Sequence, residues 1–230
     1  MPLQVASPRP NAPSQRSAPS IEDLYHKVLA RGGRSADATL EDIRHAITAG
    51  RLAHPAPIGP STLQTIDGID LGRANGYFLE LRSDGFIEVG LKGFSFFDTT
   101  RTAIITASDA IAPIEAVAAV RTQYVNCEDL VAALARMAND ITGDALDACI
   151  AYHRFCLSLI AAVGTVALLL EYATAARLSL CYLYALGRPS SFAGDLRDRA
   201  IHLLTLMGID DGAGAARAMV DIRCYLATPA

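Results

Sequence analysis

The sequence predicts an α+β fold that is mainly helical, with a central pair of buried hydrophobic helices, one β-hairpin and a disordered N-terminal arm. Three observations predict this class. Residues 144–187 contain no proline and one internal glycine, Gly164, and are apolar on nearly every helical face. Residues 76–97 have the strongest strand pattern in the chain, and residues 1–20 are rich in proline, alanine and serine.

The N-terminal arm is predicted over residues 1–20. This segment contains five prolines and two arginines, with too few apolar residues to build a core, so we expect it to be disordered. The rest of the chain, residues 21–228, is expected to form a single mainly helical domain, because 51% of all residues are apolar and only 19% are charged.

Two short helices are predicted directly after the arm. Ser20 followed by Ile-Glu-Asp is a typical helix start, and Gly32-Gly33 would end that helix. A second helix is expected between Thr39 and Gly50. Its core-facing apolar residues are Leu40, Ile43 and Ile47.

The β-hairpin is predicted at about residues 76–97. The segments Tyr77–Arg82 and Phe86–Leu91 flank Asp84-Gly85, and Asp-Gly is a favourable turn between strands. An isolated hairpin is marginally stable in water, so we expect this one to pack on helices or to pair with another chain. The aromatic residues expected to dock it on the core are Phe94, Phe96 and Phe97.

The helical half is predicted to begin after the hairpin. Two alanine-rich helices are expected at residues 99–110 and 113–124, separated near Pro113. The apolar stretch of residues 144–187 would then form the buried pair, with a hinge near Gly164.

A membrane span is the alternative for this apolar stretch. Residues 155–170 are 16 consecutive uncharged residues, fewer than the roughly 18–20 that a spanning helix needs. Glu171 and Arg177 interrupt any longer window. We therefore expect a buried core helix and no membrane partner.

Charge and cysteine usage narrow the function classes. The net charge of -4 argues against a generally basic nucleic-acid binder, although basic residues outnumber acids in residues 1–60. Five cysteines without regular spacing predict free thiols in a reducing compartment rather than a disulfide framework.

No motif of the sequence predicts catalysis. Cys149, His153 and Cys156 share one helical face, and with Cys181 they offer zinc-ligand chemistry, but a run of buried core residues is the favoured interpretation. Neither G-x-S-x-G nor a phosphate-binding glycine loop occurs. The chain is expected to be no enzyme, with no catalytic residue, no metal, no cofactor and no small-molecule substrate.

Arginines near the N-terminus are the predicted binding residues. A glycine pair lies between Arg31 and Arg34, and such a loop can hold phosphates by charge and backbone amides. The alternative is ordinary surface arginines paired with neighbouring acids such as Glu41. The predicted RNA-binding set is Arg9, Arg16, Arg31, Arg34, Arg44 and Arg51.

The composition resembles that of the proline-alanine-serine-rich proteins of polymycoviruses. The chain contains 40 alanines, 13 serines and 11 prolines, with the proline-rich arm first. The resemblance implies a viral structural protein that self-associates and coats double-stranded RNA without sequence specificity. It also implies a virion-associated location in the host cytoplasm, and affinity that falls as salt rises.

A different function class fits the same organisation. A disordered serine- and proline-rich N-terminus before a compact helical body is also typical of a secreted bacterial effector or regulator that acts by binding proteins. Co-purifying nucleic acid would separate a coat protein from an effector.

Overall fold

The computed structural model describes residues 33–125 and 127–228 of the chain. In this part the fold is mainly helical α+β, as predicted. The helices are α1 (Ala38–Thr48), α2 (Pro60–Leu63), α3 (Leu71–Ser83), α4 (Arg101–Arg121), α5 (Cys127–Asn139), α6 (Ala145–Val163), α7 (Val166–Ala175), α8 (Leu178–Ala185), α9 (Phe192–Gly208) and α10 (Gly212–Ala227), and the strands are β1 (Ile87–Gly90) and β2 (Gly93–Phe96). The predicted arm and the helix expected after Ser20 lie outside the described residues.

Helix α1 confirms the second predicted helix. It begins one residue before Thr39, because the Asp37 carboxylate accepts hydrogen bonds from the backbone N–H groups of Thr39 and Leu40 at 3.0 and 3.4 Å. The helix ends just before Gly50, which has φ of +68°. The predicted inward residues Leu40, Ile43 and Ile47 are all buried.

The prediction of a first strand at residues 77–82 is wrong, because this segment lies within helix α3. The Asp70 carboxylate caps the helix by accepting the Arg73 N–H at 2.8 Å. Tyr77, Leu79 and Leu81 alternate in the sequence as in a strand, but they do not share one buried face, since Leu79 is 64% exposed. The buried residues follow helical spacing: Ala74, Tyr77, Phe78 and Leu81.

The hairpin lies inside the predicted range but uses other residues. Strands β1 and β2 pair antiparallel, with Ile87 opposite Phe96 and Val89 opposite Phe94. The turn therefore falls at Leu91-Lys92 and not at Asp84-Gly85, which instead ends α3.

The apolar stretch of residues 144–187 forms three helices rather than two. The chain breaks at Gly164, as predicted, and again between α7 and α8. Helices α6 and α8 are largely buried and pack on each other, so they form the predicted central pair. Helix α4 runs unbroken through Pro113, where two helices were expected.

The helical bundle is built around α6, which contacts α4, α5, α7, α8 and α9. Helix α10 packs on α4 and α9, and α8 reaches α1. By length and composition, α4 with its following turn and α6 could each cross a membrane, and a bent α7–α8 pair would make a third. In α6, 61% of the apolar window is buried inside the protein.

Candidate nucleic-acid interface

Helices α2 and α3 form a helix-turn-helix arrangement. The two helices pack on each other across residues 64–70, and Gly68 adopts φ of +80° within this connection. Leu63 and Ile69 are buried on either side of the turn. Two helices joined by a glycine-containing turn are the common framework for placing a helix in a DNA groove.

The outer face of α3 is exposed. Asn75 and Arg82 are exposed there, together with the small residues Gly72 and Gly76. A Cβ atom at Gly76 would meet no atom within 4 Å. Because glycine has no side chain, the backbone on this face of the helix can approach another surface closely.

The β-hairpin lies beside the C-terminal half of α3. The Phe94 ring packs edge-to-face on Phe78, with 5.3 Å between ring centroids. The Arg82 guanidinium lies 5.1 Å from the centroid of the Phe94 ring, which orients this arginine between helix and hairpin. At the hairpin turn, Leu91 and Lys92 are exposed. A helix-turn-helix followed by such a hairpin has the geometry of a winged helix.

A hydrogen-bonded chain holds the start of α3. The Arg73 guanidinium donates to the Tyr77 hydroxyl at 2.5 Å, and that hydroxyl donates to the Asp37 carboxylate at 2.5 Å. The hydrogen bond from Tyr77 is the main reason why the pKa of Asp37 is lowered. The capping residue of α1 thereby fixes the orientation of α3.

The structure does not gather the predicted arginines into one site. Arg34 pairs with Asp144 and, at 2.9 Å, with Asp147 at the start of α6, whereas Arg51 is exposed after α1. Arg44 pairs with Glu41, as the alternative predicted, but it is buried rather than on the surface and also bonds to Asp84. Arg9, Arg16 and Arg31 lie outside the described residues. RNA contact by this set stays an untested prediction.

Arg44 belongs to a cluster that we call the junction, formed by Glu41, Arg44, Asp84, Ser179 and Tyr182. The Ser179 N–H donates to the Asp84 carbonyl at 3.1 Å, and the Tyr182 hydroxyl donates to Glu41. Burial acts to raise the pKa of Glu41, but hydrogen bonds from Tyr182, Ser35 and Arg44 outweigh it and keep that pKa below its usual range. The junction joins α1 and the end of α3 to α8.

The sequence prediction missed the helix-turn-helix. The signal was present in the spacing of Ala74, Tyr77, Phe78 and Leu81 behind the capping residue Asp70. It was masked by the apolar Leu79, which completes a strand-like alternation while pointing away from the core.

A second polar cluster lies inside the bundle, where Arg223 and Glu115 are both buried. The Arg223 Nε donates to Glu115 at 2.6 Å, a second guanidinium nitrogen donates to the other carboxylate oxygen, and the Tyr172 hydroxyl donates to Glu115 at 2.9 Å. Each buried charge is thus compensated in a water-poor interior.

The thiols and the histidine of α6 belong to the core. Cys149, His153 and Cys156 are buried as the core interpretation predicted. Burial raises the pKa of Cys181 to about 12, so this thiol is a poor nucleophile near neutral pH. Within residues 33–125 and 127–228 there is no group of three or more His, Cys, Asp or Glu side chains that could hold a metal ion.

Comparison with known proteins gives similarity in fold. No protein-family model and no curated protein sequence matches this chain. The structure of McbR/YncC from Escherichia coli matches with a TM-score of 0.55 at 16% identity, covering 87% of this chain and 93% of that chain. The Listeria monocytogenes protein Lar, described as controlling expression of the agr system and mediating virulence, matches with a TM-score of 0.60 at 13% identity, covering 85% of this chain and 96% of that chain.

A third structure, described as a GntR-family transcriptional regulator from Pseudomonas syringae pv. tomato, matches with a TM-score of 0.44 at 18% identity, covering 90% of this chain and 95% of that chain.

These similarities correct the interpretation drawn from composition. The two structures that match with TM-scores above 0.5 are bacterial proteins, one of them described as controlling gene expression, and not polymycovirus proteins, so the assignment as a viral double-stranded-RNA coat protein is wrong. The virion-associated location is wrong for the same reason. A proline-, alanine- and serine-rich composition is shared by unrelated chains, whereas the order and packing of these helices is far more specific. The alternative of a bacterial regulator agrees better with the fold.

Proposed function

We propose that this chain is a DNA-binding transcriptional regulator in which residues 38–97 form a winged helix-turn-helix and the bundle of α4–α10 forms a regulatory body. The observation that carries the proposal is the exposed face of α3, which lies beside a hairpin with an exposed lysine at its turn. The fold similarity to Lar, a protein described as controlling gene expression, supports it.

Helix α3 is the element that would enter the major groove. An asparagine can form two hydrogen bonds to adenine and an arginine two to guanine, so Asn75 and Arg82 would contact base edges. Gly72 and Gly76 would let the helix backbone approach the groove closely. Lys92 at the hairpin turn would contact a phosphate, which positions the protein without reading sequence.

Self-association is part of the proposal. Helix-turn-helix proteins commonly bind as dimers to two half-sites about 34–36 Å apart. A two-fold arrangement would double the contacts that one α3 helix makes, which matters for a chain with a net charge of -4. A regulatory role also agrees with the expectation that the chain is not an enzyme.

The test is selection of bound sequences from a randomised duplex DNA library, followed by fluorescence anisotropy with the selected duplex. We expect Asn75→Ala and Arg82→Ala each to weaken binding about tenfold or more, because a bidentate base contact is worth about 1–3 kcal/mol. Arg199→Ala is the matched control, since Arg199 also stacks on an aromatic ring, Tyr225 at 4.4 Å, but lies on α9.

Two results would contradict the proposal. One is a selection that enriches no sequence at low salt. The other is equal affinity of the Asn75→Ala and Arg82→Ala variants and the control for the selected duplex, which would exclude α3 as the reading helix.

A further inference from the structure

Leu79 is an apolar residue at the centre of the exposed face of α3. It is 64% exposed, whereas the buried residues of the helix face the core on the opposite side. With 3.6 residues per turn, Leu79 shares its face with Asn75, four residues earlier, and with Arg82, three residues later. A leucine therefore lies between the two residues proposed to contact base edges.

The neighbours of Leu79 on this face are polar or lack a side chain. Asn75, Gly76 and Arg82 are all exposed, and a Cβ atom at Gly76 would meet no atom within 4 Å. The other exposed leucine of α3, Leu71, is the first residue of the helix, about 12 Å away along the axis. One leucine among such residues exposes far less than the several hundred Å² of apolar surface that mark a protein-docking patch.

The major groove of DNA presents one apolar substituent on its base edges, the C5 methyl group of thymine. The other groups that distinguish the base pairs there are hydrogen-bond donors and acceptors. A leucine packed on those groups would remove their water without replacing the hydrogen bonds, which costs free energy. An apolar side chain in the middle of a DNA-reading face therefore favours thymine and disfavours a G·C pair.

The spacing of Leu79 and Asn75 indicates where such a thymine would lie. The two residues are four positions apart, which is about 6 Å along the helix axis. Neighbouring base pairs are stacked about 3.4 Å apart. A helix that lies along the groove would thus place Leu79 about one or two base pairs from the adenine that Asn75 would contact.

We propose that Leu79 selects thymine, by packing its side chain against the C5 methyl group of a thymine about one or two base pairs from the adenine at Asn75. This inference rests on the proposed function, because it requires α3 to enter the major groove. It goes beyond that function by assigning a base preference to an apolar residue, which makes no hydrogen bond to a base.

The test replaces thymine with deoxyuridine, which lacks only the C5 methyl group, at one position at a time in the selected duplex. Fluorescence anisotropy at a fixed salt concentration measures the Kd of each substituted duplex. We expect the replacement at one thymine of a half-site, the critical position, to weaken binding about fourfold, because the contact loses one buried methyl group.

The variant Leu79→Ala assigns this effect to the side chain. Alanine has a high helix propensity and residue 79 is exposed, so the variant should fold with an unchanged circular dichroism spectrum. It should bind the thymine duplex about fourfold more weakly than the unmodified chain does, and it should bind the thymine and deoxyuridine duplexes equally. Leu170→Ala, which shortens an exposed leucine on α7, is the matched control and should keep the fourfold discrimination.

A repeated selection with Leu79→Ala gives a second readout. The preference for thymine at the critical position should disappear, because alanine is too short to reach the methyl group. The base preferences that depend on Asn75 and Arg82 should remain, which a general loss of folding would not allow.

The outcomes separate this inference from the proposed function. Three results would overturn the role of Leu79 while leaving sequence-specific binding through Asn75 and Arg82 intact: equal affinity for every deoxyuridine duplex, a fourfold loss that persists in Leu79→Ala, or a selected site with a G·C pair at the critical position. A selection that enriches no sequence would overturn both the inference and the proposed function.

Discussion

His153 is a histidine held neutral inside an apolar helix. Its ring lies nearly parallel to that of Tyr172, with 6.1 Å between centroids. Burial, followed by the positive charges of Arg223 and Arg154, lowers the pKa of His153 to about 3. The ordinary value is 6.5, so the folded and unfolded states differ in bound protons over the interval between these two values.

The sign of the resulting pH effect is fixed. Above pH 6.5 His153 is neutral in both states. Below pH 6.5 the unfolded chain binds a proton at His153 that the folded chain does not bind, so the free energy of unfolding decreases as the pH is lowered. We expect the free energy of unfolding to drop by about 1.4 kcal/mol per pH unit between about pH 6 and 5. Urea denaturation at several pH values measures this. His153→Gln should remove most of the slope, and an equal slope in both proteins would refute the assignment.

At the scale of the element, Gly85 lies where the end of α3 packs against Arg177 at the start of α8. Its φ is +79°, and a Cβ atom there would lie 2.2 Å from the Cδ atom of Arg177. Gly50, at the end of α1, has a similar φ of +68° but no atom within 4 Å of its would-be Cβ. The two glycines share the left-handed conformation and differ only in the space around them.

This pair gives a controlled substitution experiment. Both Gly50→Ala and Gly85→Ala should lose about 1 kcal/mol through the left-handed backbone. Gly85→Ala should lose at least about 1–3 kcal/mol more, since the added methyl group overpacks against Arg177. The midpoints of urea denaturation compare the two variants, and equal losses would show that Arg177 moves aside freely.

The elements also show what sequence could and could not predict. The stretch of residues 144–187 and helix α1 were recognisable because apolar periodicity and capping residues act locally. Helix α3 was not, because Leu79 is an exposed apolar residue that imitates a strand. The burial of Arg44 was equally hidden, since its partner Asp84 lies 40 residues away and only the tertiary fold brings the two together.

At the scale of the whole molecule, Tyr182 connects the winged helix-turn-helix to the bundle. Its ring packs edge-on against both His45 of α1 and Phe86 after α3, each with 5.2 Å between centroids. Burial, followed by the hydrogen bond to Glu41, raises the pKa of the Tyr182 hydroxyl, so it stays a donor at neutral pH. The junction thus holds the first part of the described chain against the bundle.

Tyr182→Phe should loosen this connection without disturbing the ring contacts. We expect faster amide hydrogen exchange in α1, because α1 loses a hydrogen bond to a charged group worth about 1.5–3 kcal/mol, while α6 keeps its protection. Tyr184→Phe is the matched control on the same helix, since its hydroxyl bonds to Ser108 inside the bundle at 2.9 Å. Equal exchange in α1 for both variants would remove Tyr182 from this role.

The buried pair of Glu115 and Arg223 has a consequence for biosynthesis. The two residues are 108 positions apart, and Arg223 lies on the last helix of the described chain. A nascent chain therefore carries the Glu115 carboxylate on α4 before Arg223, the cation that bonds to it, has been synthesised. Until then the Glu115 carboxylate lacks this partner, and burying an unpaired charge costs free energy. Domains generally fold from the N-terminus as they emerge. The helix-turn-helix can thus form early, whereas the bundle closes only when translation delivers α10.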